Sequence, residues 1–369
     1  MSPTLSTKSD DESAARERLR KSRRLIIKIG SKSLSGDAWQ RLAEEVALLR
    51  KEKRQIVIVS SGAIALGVAR LGLKSRPKDM AWLQAAAAAG QTTLMQRWET
   101  AFEPLGLTAA QVLLTHADLA DRNRTNNARN ALAALLEAGA VPIINENDAV
   151  SVEEIKFGDN DQLASMVVPL AEADLLLLLS DVEGLLNDES RRIGFVRSVA
   201  RDARQFAGAS RSGVGTGGMV SKIEAARRAT LAGANVVIAP ARKPGVIASV
   251  LAGEDVGTLF PASIVRMSAR KHWIAFTLRP RGALILDRGA AEAVRKNRSV
   301  LAVGVLGVRG TFHMGDSVSL VDTEGLELAR GLARLSAGDA ARVCARPSPE
   351  GGSEELVHRD DLALLPSED

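Results

Sequence analysis

Residues 25–30 read LIIKIG and residues 56–62 read IVIVSSG, and the stretch between them, residues 38–51, repeats apolar side chains at helical spacing. Both apolar runs are short and end in glycine or serine, as buried strands of a parallel sheet do. Further strands are predicted at 110–114, 141–144, 175–179 and 236–238, and further helices near 81–102, 123–138 and 218–232. This alternation predicts an α/β domain with helices on both faces of a mainly parallel sheet, a three-layer αβα sandwich.

The pattern changes near residue 262. Short strand-like runs follow, split by Gly and Asp turns, at 283–286, 300–303, 317–320 and 328–329, with one helix near 289–296. Such runs predict a compact, mostly β domain. At the other end, residues 1–22 are polar and charged, which favours disorder. We therefore divide the chain into a disordered arm (1–22), an α/β domain (23–262), a linker (263–276) and a small β-rich domain (277–366).

Composition excludes several classes of protein. The formal net charge is +5, and residues 1–24 contribute seven Lys/Arg against four Asp/Glu. The rest of the chain therefore has nearly equal numbers of basic and acidic residues. It lacks the excess of basic residues that is typical of nucleic-acid-binding proteins. The single cysteine, Cys344, forms no internal disulfide, and the four histidines lack ligand spacing. The N-terminus has no apolar signal segment, and the apolar run 175–179 is too short to span a membrane. We expect a soluble, cytoplasmic protein with no protein-bound metal.

The loops that follow the predicted strands hold the candidate chemistry, because ligands of such sheets bind beyond the carboxyl ends of the strands. KIGSKS, residues 28–33, combines a lysine with small residues that let backbone N–H groups approach an anion. SSGAIA, residues 60–65, leads into a helix, whose N-terminus favours carboxylates and phosphates. Taken alone, the first is equally an ordinary turn and the second an ordinary helix cap.

The residue composition of two further loops is harder to explain by an ordinary turn or linker. NEND, residues 145–148, and GDND, residues 158–161, bring many carboxylates and amides together, as a site for an ammonium group requires. GVGTGGMVSK, residues 213–222, has the glycines, the helix start and the lysine of a phosphate-binding loop without the Walker A spacing. Lys28 and Lys222 could therefore bracket a polyphosphate, since phosphoryl transfer depends on positioning and charge neutralisation.

These motifs, in this order, resemble the amino acid kinase family and, within it, the glutamate 5-kinases. The resemblance runs from about Leu25 to Leu364, and its C-terminal part, with HRDD at 358–361, is similar to a PUA domain. The matching stretches are KIGS (28–31), VSSGAIA (59–65), LLTHADLADR (113–122), INENDAV (144–150), FGDND (157–161) and GTGGMVSK (215–222). Lys32 departs from the family pattern, and the segment 185–213 is short.

The resemblance implies that the chain transfers the γ-phosphoryl group of ATP to the γ-carboxylate of L-glutamate, the first step of proline biosynthesis. Lys28 and Lys222 would contact the transferring phosphates, and Asp161 would orient both lysines. Mg²⁺ would be held mainly by ATP oxygens and water. Glutamate would be held by Ser61, Gly62, Asp148 and Asn160. ATP would be bound by Lys28, Gly30, Ser180, Asp181, Thr216, Gly217, Gly218, Met219, Val220, Ser221 and Lys222.

The resemblance also implies a homodimer or homotetramer with proline as feedback inhibitor. Two alternatives to glutamate phosphorylation stay open. An acetylglutamate-type kinase would share the motifs, although an acetylated nitrogen needs no anionic partner. A regulatory or RNA-binding protein with a degenerate kinase domain should have lost the lysines or acidic clusters, which are intact here. The few aromatic residues of the C-terminal domain favour weak RNA binding or none.

Overall fold

The computed structural model describes residues 6–151, 159–199, 216–344 and 353–365. The chain divides into two compact units, Met1–Arg266 and Met267–Asp369. In the described part of the chain, no helix is long and apolar enough to cross a membrane.

The first unit alternates helices with strands as the sequence predicts. Its helices are α1 (Ser6–Arg20), α2 (Ala38–Lys51), α3 (Ala63–Arg70), α4 (Met80–Phe102), α5 (His116–Ala120), α6 (Arg122–Glu137), α7 (Asp159–Ala171), α8 (Thr216–Leu231) and α9 (Val246–Leu251). Its strands are β1 (Arg24–Ile29), β2 (Gln55–Ser60), β3 (Ala109–Leu114), β4 (Val141–Glu146), β5 (Leu175–Ser180), β6 (Leu185–Leu186), β7 (Arg192–Ile193), β8 (Asn235–Pro240) and β9 (Thr258–Phe260).

Seven of these strands form one sheet in the order β3-β4-β2-β1-β5-β8-β9. Every neighbouring pair is parallel except β8 and β9, which run antiparallel. The mainly parallel α/β sheet predicted from the sequence is confirmed. Because β1 lies between β2 and β5, the carboxyl ends of these three strands meet at one edge of the sheet.

The two faces of the sheet are buried by different helices. Ile27 and Ile29 of β1 belong to a core shared with α2 and α4, whereas Ile26 faces a core shared with α6, α7 and α8. Side chains alternate between faces along a strand. Lys28 therefore points to the same face as Ile26, towards α7 and α8. The ammonium group of Lys28 is therefore buried between α7 and α8. The N-terminal turns of these two helices lie at the edge of the sheet where the strands end.

Helices α3 and α4 approach each other backbone to backbone. A Cβ atom on Gly67 would lie 1.7 Å from the carbonyl oxygen of Ala86, and one on Gly90 would lie 1.7 Å from that of Ala63. Only glycine fits at either position. The contact fixes the start of α3, which directly follows the Ser-Ser-Gly loop, against the middle of α4.

The N-terminal segment differs from its prediction as a disordered arm, which is wrong for residues 6–20. These residues form α1, and Ala15 and Leu19 are buried in the core beside α9. Arg16 also donates to the carbonyl oxygen of Glu254 at 2.6 Å and pairs with Asp255 at 2.8 Å. Two buried apolar residues one helical turn apart, together with the contacts of Arg16, dock a helix that is otherwise mostly polar and charged, so its low overall hydrophobicity misled the prediction.

The second unit is β-rich, with a five-stranded sheet in the order β12-β10-β13-β14-β16 and a separate β11-β15 pair. Its strands are β10 (Gly282–Leu286), β11 (Val300–Leu301), β12 (Val305–Gly310), β13 (Ser317–Val321), β14 (Glu327–Leu332), β15 (Glu355–Val357) and β16 (Leu362–Leu364). Its helices are α10 (Ala269–His272), α11 (Arg288–Arg295) and α12 (Ala337–Cys344), and a π-helical turn covers Trp273–Thr277.

The predicted linker and the predicted single helix need correction. From Ala269 onwards the linker residues are helical, and His272, Ile274 and Ala275 are fully or almost fully buried within the second unit. Helix α12 was not predicted, because its Ala and Gly residues carry a weak helical pattern. The predicted helix near 289–296 corresponds to α11.

Candidate active site

A cavity of about 270 Å³ opens at the carboxyl edge of the sheet, beyond β1, β2, β4 and β5. The strand-end loops that the sequence singled out meet here. The lining residues include Lys28, Gly30, Ser31, Lys32, Ser61, Gly62, Arg76, Asn145, Glu146, Asp148, Asn160, Asp161, Ser180, Asp181, Gly218 and Lys222.

The three residues predicted to be catalytic form one charge cluster. Lys28 Nζ lies 2.7 Å from Asp161 Oδ1, and Lys222 Nζ lies 3.2 Å from Asp161 Oδ2. Ser221 Oγ donates to the same Oδ2 at 2.9 Å. Asp161 is 1% exposed, and both lysines are buried at the wall of the cavity. One carboxylate therefore holds two ammonium groups that it cannot fully neutralise.

Each member of the cluster comes from a different element. Lys28 is the penultimate residue of β1, Asp161 lies in the first turn of α7, and Lys222 lies in α8. The positive end of the α7 dipole favours an acid in its first turn. Lys222 Nζ additionally donates to the carbonyl oxygen of Gly218, one helical turn earlier, at 3.1 Å. The fold thus fixes both ammonium groups before any ligand binds.

Burial and charge shift the pKa values of this cluster. Burial lowers the pKa of Lys28, and the nearby Lys222 lowers it further, while Asp161 partly opposes the shift. Burial acts to raise the pKa of Asp161, but the ammonium groups of Lys28 and Lys222 outweigh it, so this pKa lies below its ordinary value. Asp161 is therefore an anion throughout the physiological pH range.

Amide side chains build the other half of the cavity. Asn160 Nδ2 donates to Ser61 Oγ at 2.9 Å and to Asn145 Oδ1 at 3.0 Å. Asn145 Nδ2 in turn donates to Gln91 Oε1 of α4 at 2.9 Å. Asp148 lies in the loop after β4 and lines the same cavity. The four residues predicted to hold glutamate (Ser61, Gly62, Asp148 and Asn160) are thus brought together.

The Ser61–Gly62 loop has a conformation that favours glycine. Gly62 has φ +116°, in the left-handed region, immediately before α3. Trp98 of α4 donates from Nε1 to Ser60 Oγ at 3.1 Å in a fully buried contact. The loop is therefore held by α4 and by the Ser61 N–H, which donates to the carbonyl oxygen of Ile29 at 3.1 Å. The loop leads directly into the N-terminus of α3, where an anion is favoured.

The residues predicted to bind the nucleotide are only partly gathered. Ser180, Asp181 and Gly218 line the cavity, and Lys32 Nζ lies 3.9 Å from Asp181 Oδ2. Burial acts to raise the pKa of Asp181, but its backbone N–H, the Ser180 hydroxyl, Lys32 and Lys222 together lower it.

Other nucleotide predictions lie outside the cavity wall. Met219 packs against the core beneath, and Val220 is 50% exposed and does not line the cavity. Thr216 and Gly217 are described only by their backbone, at the start of α8, so their predicted role remains a prediction.

Sequence reasoning missed three polar residues of this region. Arg76 lines the cavity from the loop between α3 and α4, a loop that follows no strand. Asn145 lies within the NEND stretch but was given no role of its own, and Gln91 is surrounded by Ala, Gly and Thr within α4. A polar residue that is 9% exposed inside an otherwise small-residue helix is a signal, but its burial is visible only in the fold.

One of the stretches that resemble the amino acid kinase family stabilises a helix in this chain and does not line the cavity. In the stretch 113–122, Thr115 and Asp118 form a reciprocal capping box at the start of α5, and Arg124 donates to Asp118 at 2.7 Å. These side chains do not line the cavity. The stretch therefore shapes the helix pair α5–α6 that covers the sheet.

Comparison with known proteins agrees with this geometry. The sequence pattern described as the amino acid kinase family matches residues 23–240. The chain is 44% identical to the glutamate 5-kinase of Syntrophotalea carbinolica, over 93% of this chain and 97% of that protein. The chain belongs to the amino acid kinase family. This family member is also 46% identical to the glutamate 5-kinase of Myxococcus xanthus, over 96% of this chain and 99% of that protein. The resemblance stated from its motifs is confirmed.

The second unit of this amino acid kinase family member has its own match, since the PUA domain pattern covers residues 282–350. Among solved structures, an N-acetylglutamate synthase of Neisseria gonorrhoeae complexed with coenzyme A and L-arginine has a TM-score of 0.51 at 17% identity. The match covers 70% of this chain and 66% of that one. A second structure of the synthase, with coenzyme A and N-acetylglutamate, has a TM-score of 0.52 at 16% identity and covers 71% and 64%. These likenesses concern the fold alone.

Proposed function

We propose that this enzyme is an ATP-dependent glutamate kinase that forms L-glutamyl 5-phosphate, the first step of proline biosynthesis. The observation that carries the proposal is the position of two consecutive residues in the first turn of α7. Asn160 belongs to the amide half of the cavity, and Asp161 holds Lys28 and Lys222. One helix turn thus joins a site suited to an amino acid with a site suited to phosphates.

The chemistry needs no covalent intermediate on the protein. An oxygen of the substrate γ-carboxylate attacks the γ-phosphorus of ATP, the bond to the β–γ bridging oxygen breaks, and ADP leaves with that electron pair. Negative charge grows on the bridging oxygen and is spread over the transferring group. Lys28 and Lys222 share the Asp161 carboxylate at the cavity wall, so that one carboxylate does not balance both ammonium groups and they can neutralise charge in this step.

Mg²⁺ would enter with the nucleotide in this proposal. Among the residues that the structure describes, no three His, Cys, Asp or Glu side chains are grouped to hold a metal ion. An ion bound mainly to phosphate oxygens and water suits the octahedral hydration chemistry of Mg²⁺. It would supply further charge neutralisation, and Asp181, which lines the cavity, would bind one of its waters.

Acceptor choice follows from the amide and carboxylate half of the cavity. Asp148 and Glu146 line it, and a free α-ammonium is the group that such carboxylates recognise. An acetylated nitrogen carries no positive charge and would offer these carboxylates no ammonium group to bind. This favours glutamate over acetylglutamate as the acceptor.

The decisive experiment measures ADP release with glutamate, N-acetylglutamate and aspartate in parallel, each with and without hydroxylamine. An acyl phosphate is converted by hydroxylamine to a hydroxamate, which distinguishes carboxylate phosphorylation from ATP hydrolysis. We expect glutamate to support ADP release matched by hydroxamate. Turnover with acetylglutamate only, or ADP release without hydroxamate, would contradict the proposal.

The remaining assignments complete the proposal. The kinase domain spans residues 23–262, works in the cytoplasm as a homodimer or homotetramer, and responds to proline as a feedback inhibitor. The PUA domain modulates assembly or regulation and binds RNA weakly or not at all. Support for the last point is the mixed charge of this unit, where Arg295 pairs with Asp322 and Arg281 with Asp316, both at 3.6 Å.

A further inference from the structure

A relay of three side-chain amides connects helix α4 to the amino acid half of the cavity. It runs from Gln91 through Asn145 to Asn160, with N···O distances of 2.9 and 3.0 Å. Gln91 is 9% exposed and Asn145 is 2% exposed, so the link between them is shielded from water. Gln91 does not line this cavity, but it lines a neighbouring cavity that shares Ala63, Glu146 and Asp148 with it.

The relay has a direction. Each amide has a donor end and an acceptor end, and reversing all three would preserve the bonds between them. The backbone carbonyl oxygen of Ser60 breaks this symmetry, because it can only accept and Asn160 Nδ2 lies 3.4 Å from it. With Asn160 Nδ2 so placed, Asn145 must present its oxygen to Asn160 and its Nδ2 to Gln91. Gln91 Oε1 is the acceptor that completes this arrangement.

The orientation leaves one acceptor unused. Asn160 Oδ1 is buried and, within the described part of the chain, has no hydrogen-bond partner. A buried acceptor without a donor destabilises the protein, and a donor on a ligand would remove that cost. In a cavity that also presents Asp148, the fitting donor is a substrate ammonium group.

We propose that Gln91 is a positioning residue of the amino acid site: acting through Asn145, it keeps the Asn160 amide turned so that Oδ1 accepts from the α-ammonium of the substrate. The inference rests on the proposed function for the identity of that substrate. Without an acceptor at position 91, the Asn145 amide loses one of the two hydrogen bonds that hold its orientation. Its flipped form would face Asn160 with a donor against a donor, so part of the population would lose the productive geometry.

The test compares Gln91→Met with Gln91→Glu. Methionine keeps the length of the side chain but removes the acceptor, whereas glutamate keeps an oxygen for Asn145 Nδ2. We expect Gln91→Met to weaken glutamate binding roughly ten-fold, as loss of one oriented hydrogen bond does, with the KM for ATP unchanged. Gln91→Glu should stay within about three-fold of the wild type. The matched control is Gln40→Met, an exposed glutamine on α2 that lines neither cavity, which should change nothing.

Glutamate affinity is measured by titration calorimetry and KM by ADP release. Equal losses for glutamate and ATP, or equal impairment of the Met and Glu variants, would overturn the inference. So would an unchanged glutamate affinity in Gln91→Met. If Gln91→Met does not fold, Gln91→Asn, which ends one methylene short of Asn145, is judged by the same criterion. In an Asn160→Ala background the effect of Gln91→Met should vanish, because the relay then has no end.

Failure of this inference and failure of the proposed function are separable. Hydroxamate formation by the wild-type enzyme tests the function and does not involve Gln91. A wild type that turns over glutamate beside an unaffected Gln91→Met variant would refute only the relay.

Discussion

Lys28 of β1 and Asp161 of α7 form a buried ion pair, with Nζ and Oδ1 2.7 Å apart at the wall of the cavity. A buried charge without a partner of opposite charge is strongly destabilising, so each of these two residues stabilises the other in its buried position. The pair also explains how a lysine is held in an apolar sheet core with its ammonium group at the point where phosphates would bind. Because Lys222 shares the same carboxylate, Asp161 does not balance both ammonium groups, which favours the binding of a polyanion.

Removal of either ammonium group should impair the chemical step. Lys28→Ala or Lys222→Ala is expected to lower kcat by roughly 10³-fold or more, with a smaller rise in the KM for glutamate, because the lost charge acts in the transition state. Steady-state ADP release measures both constants. Lys51→Ala, an exposed lysine at the end of α2, is the matched control. Near-normal turnover in either cavity variant would contradict the assignment.

Asp148 should act on the amino acid and not on the nucleotide. Asp148→Asn removes one charge-assisted hydrogen bond to the α-ammonium, worth about 1.5–3 kcal/mol, so the KM for glutamate should rise about ten- to hundred-fold. The KM for ATP should stay within error of the wild type. The opposite result, lost ATP binding with intact glutamate binding, would place Asp148 on the nucleotide side.

The alkaline limit of activity should lie below the pKa of an ordinary lysine. Burial lowers the pKa of Lys28 from its usual 10.5. As the pH rises through this lowered value, Lys28 loses its proton and its charge, so kcat/KM for ATP should fall before pH 10.5 is reached. A pH profile of kcat/KM checks this. The Lys28→Arg variant, whose guanidinium stays charged at high pH, should not show the alkaline decrease in kcat/KM. A wild-type profile that is flat to that pH would count against the shift.

At acidic pH the stability of the folded protein depends on the Asp161 carboxylate, which must remain ionised to pair with the two lysines. The pKa of Asp161 in the folded protein lies below its ordinary 3.8, so its ion pairs contribute stability fully above that value. This stability is lost as the pH falls through the lower, folded pKa. No loss from this group is therefore expected near neutral pH.

The kinase unit should work without the PUA domain. A chain ending at Arg266, where the first compact unit ends, should fold and keep glutamate kinase activity, because every cavity residue lies before that point. Turnover and circular dichroism measure this. A folded but inactive truncation would show that the second unit is needed for catalysis.

Comparison of the intact and truncated chains also tests RNA binding. We expect no sub-micromolar, salt-dependent binding of structured RNA by the intact chain near physiological salt. Tight binding that disappears in the truncated chain would reverse our view of the PUA domain.

The sequence predicted the sheet and most of the cavity because both depend on local patterns. The runs at 25–29 and 56–59 are strands, and the residues just beyond them line the cavity. What it could not predict depends on contacts between distant segments. Gln91 and Asn145 are 54 residues apart, and no periodicity marks their hydrogen bond. Arg76 reaches the cavity from a loop whose path is set by the packing of α3 on α4.

The N-terminal helix α1 also depends on contacts between distant segments, and here the sequence predicted disorder where the structure has a helix. Composition favoured disorder at residues 6–20, since Ala15 and Leu19 are a small apolar face. The deciding partners, Glu254 and Asp255, lie more than two hundred residues away. Local composition cannot anticipate a docking surface that forms only when the chain has folded.

The glycine contact between α3 and α4 bears on how the cavity can move. At Gly67 and Gly90 no side chain separates the two backbones, so neither helix can slide or tilt without a collision. Any closure that draws Ser61 and Ala63 towards a ligand must carry α4 with it as one rigid body. The arrival of a small molecule at the start of α3 would then be transmitted mechanically along the 23 residues of α4, to surfaces far from the place where it binds.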